Sequence, residues 1–428
     1  MIEAVLWALV GLFLLLQLPF LVGVLGFRRY VRRALDEESD FLKREAGSAV
    51  AAGAAAGTSR LRQHTPKISV ILPCKGIDPG FEENVRSILE QRYPDFEIIF
   101  ATATADDPAR KSLEALLKRQ PSRKVRLVVA GIQPGRSQKL NNQLAALEAV
   151  RPESEVLVFL DSDIRARPTF LLSLIEPFGR AETGATTGFR WYIPEKGGFA
   201  SYLRAAWNGG GTPILAQRGL AYAWGGAMAM RKSDFARAGI REKWATALTD
   251  DFPLTDAVRN VLKSAVVFVP RCLVPSHEDA SLRQTLEWTN RQTIICRVYN
   301  PKLWWVLFVS HGVQSLALLA GAALVAARFL GAAGFSLTPV LFLFAAIPVQ
   351  IGFGMLLWQA VRAHLLPEIG GWGEALKHAL LVPAAIVLIF YNSVHSLCTS
   401  VICWRGVKYR LLSATRTEVL PERTTPQG

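Results

Sequence analysis

Cysteine and histidine are both scarce in this chain, and the few present do not cluster. The five cysteines, Cys74, Cys272, Cys296, Cys398 and Cys403, are odd in number and lack paired metal-ligand spacings, which argues against a disulfide framework and for a reducing compartment. His311, His378 and His395 fall in or beside apolar stretches, again without a metal-ligand spacing. Acidic residues are outnumbered, 35 Asp+Glu against 49 Lys+Arg, and the resulting +14 suits an anionic lipid surface or an anionic substrate without choosing between them. Ionisable groups are sparse inside the long apolar stretches, which speaks against a transporter. What the chain has in quantity is apolar residues, half of its 428, with a fifth charged, so it is neither wholly membrane nor wholly soluble.

Residues 4–27 run for 24 positions without a charge, long enough to cross a bilayer core of about 30 Å at about 1.5 Å per residue. The start, MIE, is not basic and the positive charges follow as RRYVRR, which fits an anchor better than a cleaved signal peptide and puts Arg28 onward inside. Three further stretches, 303–327, 335–361 and 379–404, are each long enough to span. One crossing plus three would leave Arg405, Lys408 and Arg410 outside, against the preference of basic residues for the inner face. The Ala/Gly segment AGSAVAAGAAAG at 46–57 reads as a flexible tether. The expected division is an anchor at 1–30, a linker at 31–65, a catalytic domain at 66–300, a membrane region at 301–404 and a basic tail at 405–428.

Between the spans, β-branched runs alternate with helical patterns: ISVILP (68–73), FEIIFA (96–101), VRLVVAG (125–131) and EVLVFL (155–160). Continuous apolar strands separated by helices imply an α/β domain with a mostly parallel sheet covered on both faces, and such sheets bind ligands beyond the carboxyl ends of their strands. Asp161 and Asp163 stand at one such exit, where two carboxylates could face a divalent cation or merely form a turn before Pro168. Asp106 and Asp107 follow a second strand, and Lys139, with Gly135, Asn141 and Asn142, follows a third in a loop suited either to phosphate at a helix N-terminus or to an ordinary surface lysine. Pro73 and Gly76 form a strand exit that could admit a nucleotide base or be a plain turn. Asp250 and Asp251 open an amphipathic run, as helix-start acids or as a general base. The aromatic, Gly-rich segment 199–230 could lie at the bilayer interface or be core.

Taken in order, PCKGIDP, DDPA (106–109), QKLNN (138–142), DSDI (161–164), the Asp250–Asp251 pair and WRGVKYRL (404–411) resemble membrane-bound family 2-type glycosyltransferases, above all the ceramide glucosyltransferase-like branch (family 21) and its bacterial relatives acting on hopanoid-type lipids. The resemblance implies a GT-A nucleotide-diphospho-sugar domain on the cytoplasmic face of a bacterial inner membrane, with about four transmembrane helices. It implies a Mg2+ or Mn2+ ion at Asp161 and Asp163, nucleotide-sugar contacts at Pro73, Gly76, Asp107, Lys139 and Asp161, and Asp251 as catalytic base. The expected partners are a nucleotide-sugar donor, a lipid acceptor and the bilayer, with no nucleic acid. The family's Gln/Arg-x-x-Arg-Trp motif departs here: Gln284 and Trp288 match, but Glu287 stands where the arginine belongs, so either Arg283 or Arg291 supplies the charge toward the diphosphate or the motif has a different job. The implied reaction is single, inverting transfer of one sugar to a lipid; a processive polysaccharide synthase or a non-catalytic membrane scaffold are the competing readings.

Overall fold

The computed structural model describes residues 2–51, 65–119, 124–331, 336, 338–365 and 369–421. The chain forms two compact units: Met1–Tyr30 with Trp191–Gln217 and His277–Ser400, and Val31–Arg190 with Arg218–Ser276 and Val401–Gly428. Segments 191–217 and 277–300, inside the catalytic domain expected at 66–300, group with the apolar helices. The last segment belongs with the sheet.

The second unit is built on a seven-stranded sheet. Its strands are β1 (Ile68–Pro73), β2 (Phe96–Thr102), β3 (Val125–Val129), β4 (Val156–Leu160), β5 (Thr183–Ile193), β6 (Ala227–Arg231) and β7 (Ala265–His277), in the order β3-β2-β1-β4-β6-β5-β7. Pairing is parallel from β3 through β4 and antiparallel where β6 meets β4 and β5. The four parallel strands are those legible as apolar runs. Alternation sends Val70, Leu72, Ile98, Phe100, Val158 and Leu160 into one core layer and Ile71, Ile99, Ala101, Leu157 and Phe159 into the other, so both faces are dry.

Residues 401–420, expected as the end of the membrane region to 404 and a tail from 405, form a second sheet of β8 (Val401–Trp404), β9 (Val407–Ser413) and β10 (Arg416–Leu420), all antiparallel. Tyr409 and Leu411 point inward and are buried while Lys408, Arg410 and Leu412 point outward. That period of two is a strand pattern hidden by its basic outer face. The β8–β9 turn has two residues, Arg405 (φ +47°) and Gly406 (φ +81°), the left-handed pair that suits the twist of a tight hairpin.

Among the described residues, four helical segments are long and apolar enough to cross a membrane: Trp7–Glu37, which runs past the first unit's boundary at Tyr30, and Pro301–Phe329, Thr338–Ala363 and Trp372–Cys398 within that unit. The expected last stretch ended at 404; the helix ends at Cys398, and Val401 onward is strand. It is also interrupted, as Trp372–Leu380 and Val382–Cys398 are separate helices with Pro383 in the first turn of the second. The first helix runs Ile2–Ala51, so the front of the expected flexible linker is helical, as its Ala-rich sequence allows. The rest of that linker, 52–64, lies outside the described residues.

Candidate active site

The strand exits of β1 to β4 meet in the second unit, and an amide ladder fixes them. Asn142 Nδ2 donates to the carbonyls of Cys74 and Ala101, both at 3.1 Å, and Asn141 Nδ2 donates to those of Ala130 and Gly131 at 3.2 and 2.8 Å. Both residues come from the helix Gln138–Leu147, capped by Ser137, whose hydroxyl accepts from Leu140 N–H. The QKLNN motif thus ties three strands at their carboxyl ends. Its asparagines are committed to backbone carbonyls, not turned to a phosphate or ribose.

Lys139 sits one step into this helix and is enclosed by acids. Its Nζ lies 2.9 Å from Asp161 Oδ1 and 3.0 Å from Asp250 Oδ2, and donates to Gly225 O at 2.9 Å. An ammonium has three donors and all three are used, so Lys139 joins the acids instead of offering itself to the donor. Burial works against the charge, but the two carboxylates hold its pKa above the ordinary lysine range. Gly225 is there of necessity: a Cβ would come 2.4 Å from Asp250 Oδ1 and 3.0 Å from Lys139 Nζ. The register brings it in, because Leu160 pairs with Ala227 and Asp161 N–H continues onto Gly226 O at 3.0 Å.

The β4 exit carries both carboxylates of the DSD motif. Burial pushes the Asp161 carboxyl upward, with Asp163 and Asp250 adding to it against the pull of Lys139. Asp163 differs: despite burial, the Arg190 guanidinium, 2.6 Å from its Oδ1, holds it below the usual carboxylate range. Arg190, on β5, lies over the Trp224 ring at 5.4 Å.

Asp250 and Asp251 divide into two roles. Asp250 is buried, accepts from Gln143 Nε2 at 2.8 Å besides Lys139, and its carbonyl accepts from Trp244 Nε1 at 3.0 Å. It is a pin. Asp251, the first residue of the helix Asp251–Asn260, is partly exposed and accepts from Phe252 N–H at 2.7 Å. Burial, with the neighbouring Asp250 charge, pushes its carboxyl up to about 6.

The loop after β1 completes this side. Asp107 Oδ1 accepts from Gly76 N–H and from Ala109 N–H, both at 2.9 Å, so the acid expected to touch nucleotide ties the β1 loop to the start of the helix Pro108–Arg119. Gly76 has φ +66°, and Pro73 is the last residue of β1, paired with Ala101. Asp106, beside Asp107, is exposed and pairs with Lys111 at 3.7 Å. Asp78 Oδ2 accepts from Ser162 Oγ at 3.2 Å, linking the β1 loop to the DSD motif, and both of its oxygens accept from Arg405 Nη2 at 3.0 and 3.1 Å.

Gln284, Trp288 and Arg291 lie on the helix Leu282–Tyr299 of the other unit. Gln284 forms a reciprocal capping box with Ser281. Trp288 meets the rings of Tyr192 and Trp207 edge-on, at 5.6 and 5.1 Å. Glu287 pairs with Arg283 at 2.8 Å, and both partners are largely exposed.

The acid site suits a hard divalent cation. Asp161 and Asp163 provide carboxylate oxygens two positions apart at an open strand end, and among the described residues no three His, Cys, Asp or Glu side chains converge into a closed cage. A Mg2+- or Mn2+-type ion held by one or two carboxylates, with phosphate oxygens and water as its remaining ligands, needs no more protein than this. Sequence reasoning missed Arg190 and Gly225, and it gave no role to Asp78 and Arg405 although both lie in quoted motifs, PCKGIDP and WRGVKYRL. The Gly225–Gly226 pair directly before an apolar strand was the one local signal for close approach.

The profile of glycosyl transferase family 21 matches residues 46–417. Among curated proteins, ceramide glucosyltransferase 1 of Caenorhabditis elegans is 26% identical over 191 residues, 44% of this chain and 41% of that one. Ceramide glucosyltransferase of Komagataella phaffii (strain GS115 / ATCC 20864) is 30% identical over 101 residues, 23% of this chain and 19% of that one. The chain thus spans less than half the length of the curated relatives it matches. Among solved structures, mannosyltransferase PcManGT from Pyrobaculum calidifontis, in complex with GDP-Man and Mn2+, is similar at a TM-score of 0.40 and 14% identity, covering 90% of this chain and 99% of that one. With the family profile running through nearly all of the sheet unit and the three later apolar helices, the chain belongs to glycosyl transferase family 21.

Proposed function

We propose that this protein is a metal-dependent, inverting GT-A glycosyltransferase of the membrane, moving one sugar from a nucleoside-diphosphate sugar, by its resemblance a UDP-sugar, to a lipid hydroxyl such as that of ceramide. The observation that carries the reading is the Lys139 bridge: one buried cation joins Asp161 of the DSD motif to Asp250, and Asp250 adjoins a partly exposed carboxylate with a raised pKa. Asp251 is then the base. With its pKa at about 6 it is largely ionised at neutral pH, yet basic enough to take a hydroxyl proton as the hydroxyl attacks the anomeric carbon. Asp161 and Asp163 would hold the divalent cation, which offsets charge on the departing diphosphate. Asp250 and Lys139 keep the two halves of the site in register, and a single base fits single displacement with inversion.

A lipid acceptor is supported by the company kept by the helix Phe199–Gly209. Its Leu203 and Ala206 pack with Val382, Ala385, Ile386 and Leu388 of the apolar helix Val382–Cys398, while Phe199 is exposed. The remainder of the aromatic segment, from 218 on, belongs to the sheet unit, where Gly225 lines the acids. Arg28, Arg29, Arg32 and Arg33 after the first apolar stretch support a multi-pass protein with its sheet unit on the cytoplasmic side, in a bacterium the inner membrane. The test is the purified protein in detergent with Mn2+ or Mg2+, a panel of labelled nucleotide sugars and extracted native lipids. A labelled lipid is expected; neither transfer nor donor hydrolysis with any sugar would overturn the reading.

A further inference from the structure

The WRGVKYRL motif has no part in the reaction as derived so far, yet its turn reaches the active site. Arg405 Nη1 donates to Lys75 O at 2.7 Å, Arg405 Nη2 spans both oxygens of Asp78, and Lys75 Nζ donates back to Arg405 O at 2.9 Å. The hairpin tip is therefore fastened to the β1 loop by bonds in both directions, across 330 residues of chain. Arg405 holds φ +47°, a left-handed conformation that non-glycine residues seldom adopt and that Asn, Asp or Gly would take more readily at this turn. A strained arginine kept where an easier residue would make the turn points to a use for its side chain.

The surroundings indicate the use. Asp78 bonds Ser162 between the two DSD acids, and the Arg405 charge interacts with Asp163 and Asp161 as well as with Asp78. Every cation of the cluster pairs with an acid, but Lys139 spends its three donors and Arg190 clasps Asp163 of the DSD motif, whereas Arg405 has five N–H donors and its acid is Asp78, outside that motif. Arg405 instead stands on the nucleotide-side loop, oriented by a carboxylate, with a planar guanidinium suited to phosphate oxygens. Residues 404–411 also brace the helix start, since Tyr409 Oη accepts from Gln138 N–H at 3.3 Å.

The geometry points to Arg405 as a donor-binding residue: it presents positive charge to the diphosphate of the nucleotide sugar, the part that Glu287 cannot play on the helix Leu282–Tyr299. This rests on the transferase reading above. The full-length protein is titrated with UDP and with uridine, and with GDP and guanosine, in Mn2+, comparing wild type with Arg405→Gln and Arg405→Lys. Loss of a charged hydrogen bond corresponds to about 10- to 100-fold. Arg405→Gln is expected to weaken the diphosphate by that factor and the nucleoside by less than about twofold, with Arg405→Lys recovering part of the loss. The comparison within one protein separates diphosphate contact from loop support, because a role confined to holding the loop would weaken diphosphate and nucleoside alike. Equal weakening, or none, overturns the assignment. Should the wild type bind neither diphosphate, the transferase reading fails and this inference fails with it; binding that survives in Arg405→Gln overturns this inference alone.

Discussion

Asp251→Asn separates catalysis from folding, because the two should move in opposite directions. The carboxyl is pushed from 3.8 up to about 6 by burial and by Asp250. A folded-state pKa above the unfolded one means that the group's contribution to stability is fully present below about pH 4 and is lost as the pH rises through about 6. Two units at about 1.4 kcal/mol each put the cost of the ionised carboxylate at about 3 kcal/mol by pH 8, an upper bound for a partly exposed group. Asparagine removes the charge and keeps an oxygen able to accept from Phe252 N–H. The variant should therefore melt several degrees higher than wild type at pH 8, and this gain should shrink toward pH 4. Transfer should fall by about 10²- to 10⁴-fold, as expected for loss of a positioned base. Wild-type transfer should itself decline below about pH 6, and the residual rate of the variant should lose that dependence. Thermal unfolding in detergent and initial rates of labelled lipid formation, both across pH, supply the readouts. An active variant with an unchanged pH profile would refute the base assignment, and a variant that is inactive because it melts lower would refute the charge argument.

Other outcomes follow from the same contacts. Gly225→Ala should destabilise the protein by about 1–3 kcal/mol and abolish transfer, since the new methyl must displace Asp250 or Lys139; a fully active variant with wild-type melting would show that the bridge is dispensable. Asp163→Asn should weaken the Mn2+-dependent part of UDP binding while leaving metal-free binding of uridine unchanged, measured by titration with and without the ion. Gln284→Ala removes one half of a helix cap, so it should cost about 1 kcal/mol in thermal unfolding and leave donor affinity within twofold. A large loss of donor affinity would restore the motif's expected place at the diphosphate.

The central parallel strands could be read from the chain because they are buried on both faces, and ISVILP, FEIIFA and EVLVFL are apolar but for Glu155 at an end and for Ser69 and Glu97, which bond each other across the sheet. Strand β5 could not: TGATTGFRWYI is rich in Thr and Gly, whose burial is imposed by neighbours distant in sequence. The acids were legible for a similar reason, since a carboxylate directly after an apolar run marks a strand end. Their partners were not. Arg190 and Gly225 reach Asp163 and Asp250 through sheet register, and Arg405 reaches Asp78 across 327 residues, so no local pattern announces them. Lys139 stood out in the sequence as a helix-start lysine suited to phosphate, but its contacts with Asp161, Asp250 and Gly225 come from other strands and loops and could not be read locally.

The small sheet at 401–420 also bears on how the chain threads the bilayer. Its Arg405 bonds Asp78, so the residues just after the last apolar helix and those of the β1 loop occupy the same aqueous compartment. A chain that leaves one side near residue 300 and is back on it by 405 has made an even number of passages. Among the described residues three apolar helices lie in that interval, so a chain that begins and ends it on one side needs one of them to enter and return, or to lie along the surface. The interrupted pair Trp372–Leu380 and Val382–Cys398 has the break such a path requires. Single cysteines placed at 370 and 412, labelled from one side of sealed vesicles, distinguish the paths: a re-entrant last pair leaves both positions on the side of residue 78, whereas three full passages would set 412 on the opposite face from 370.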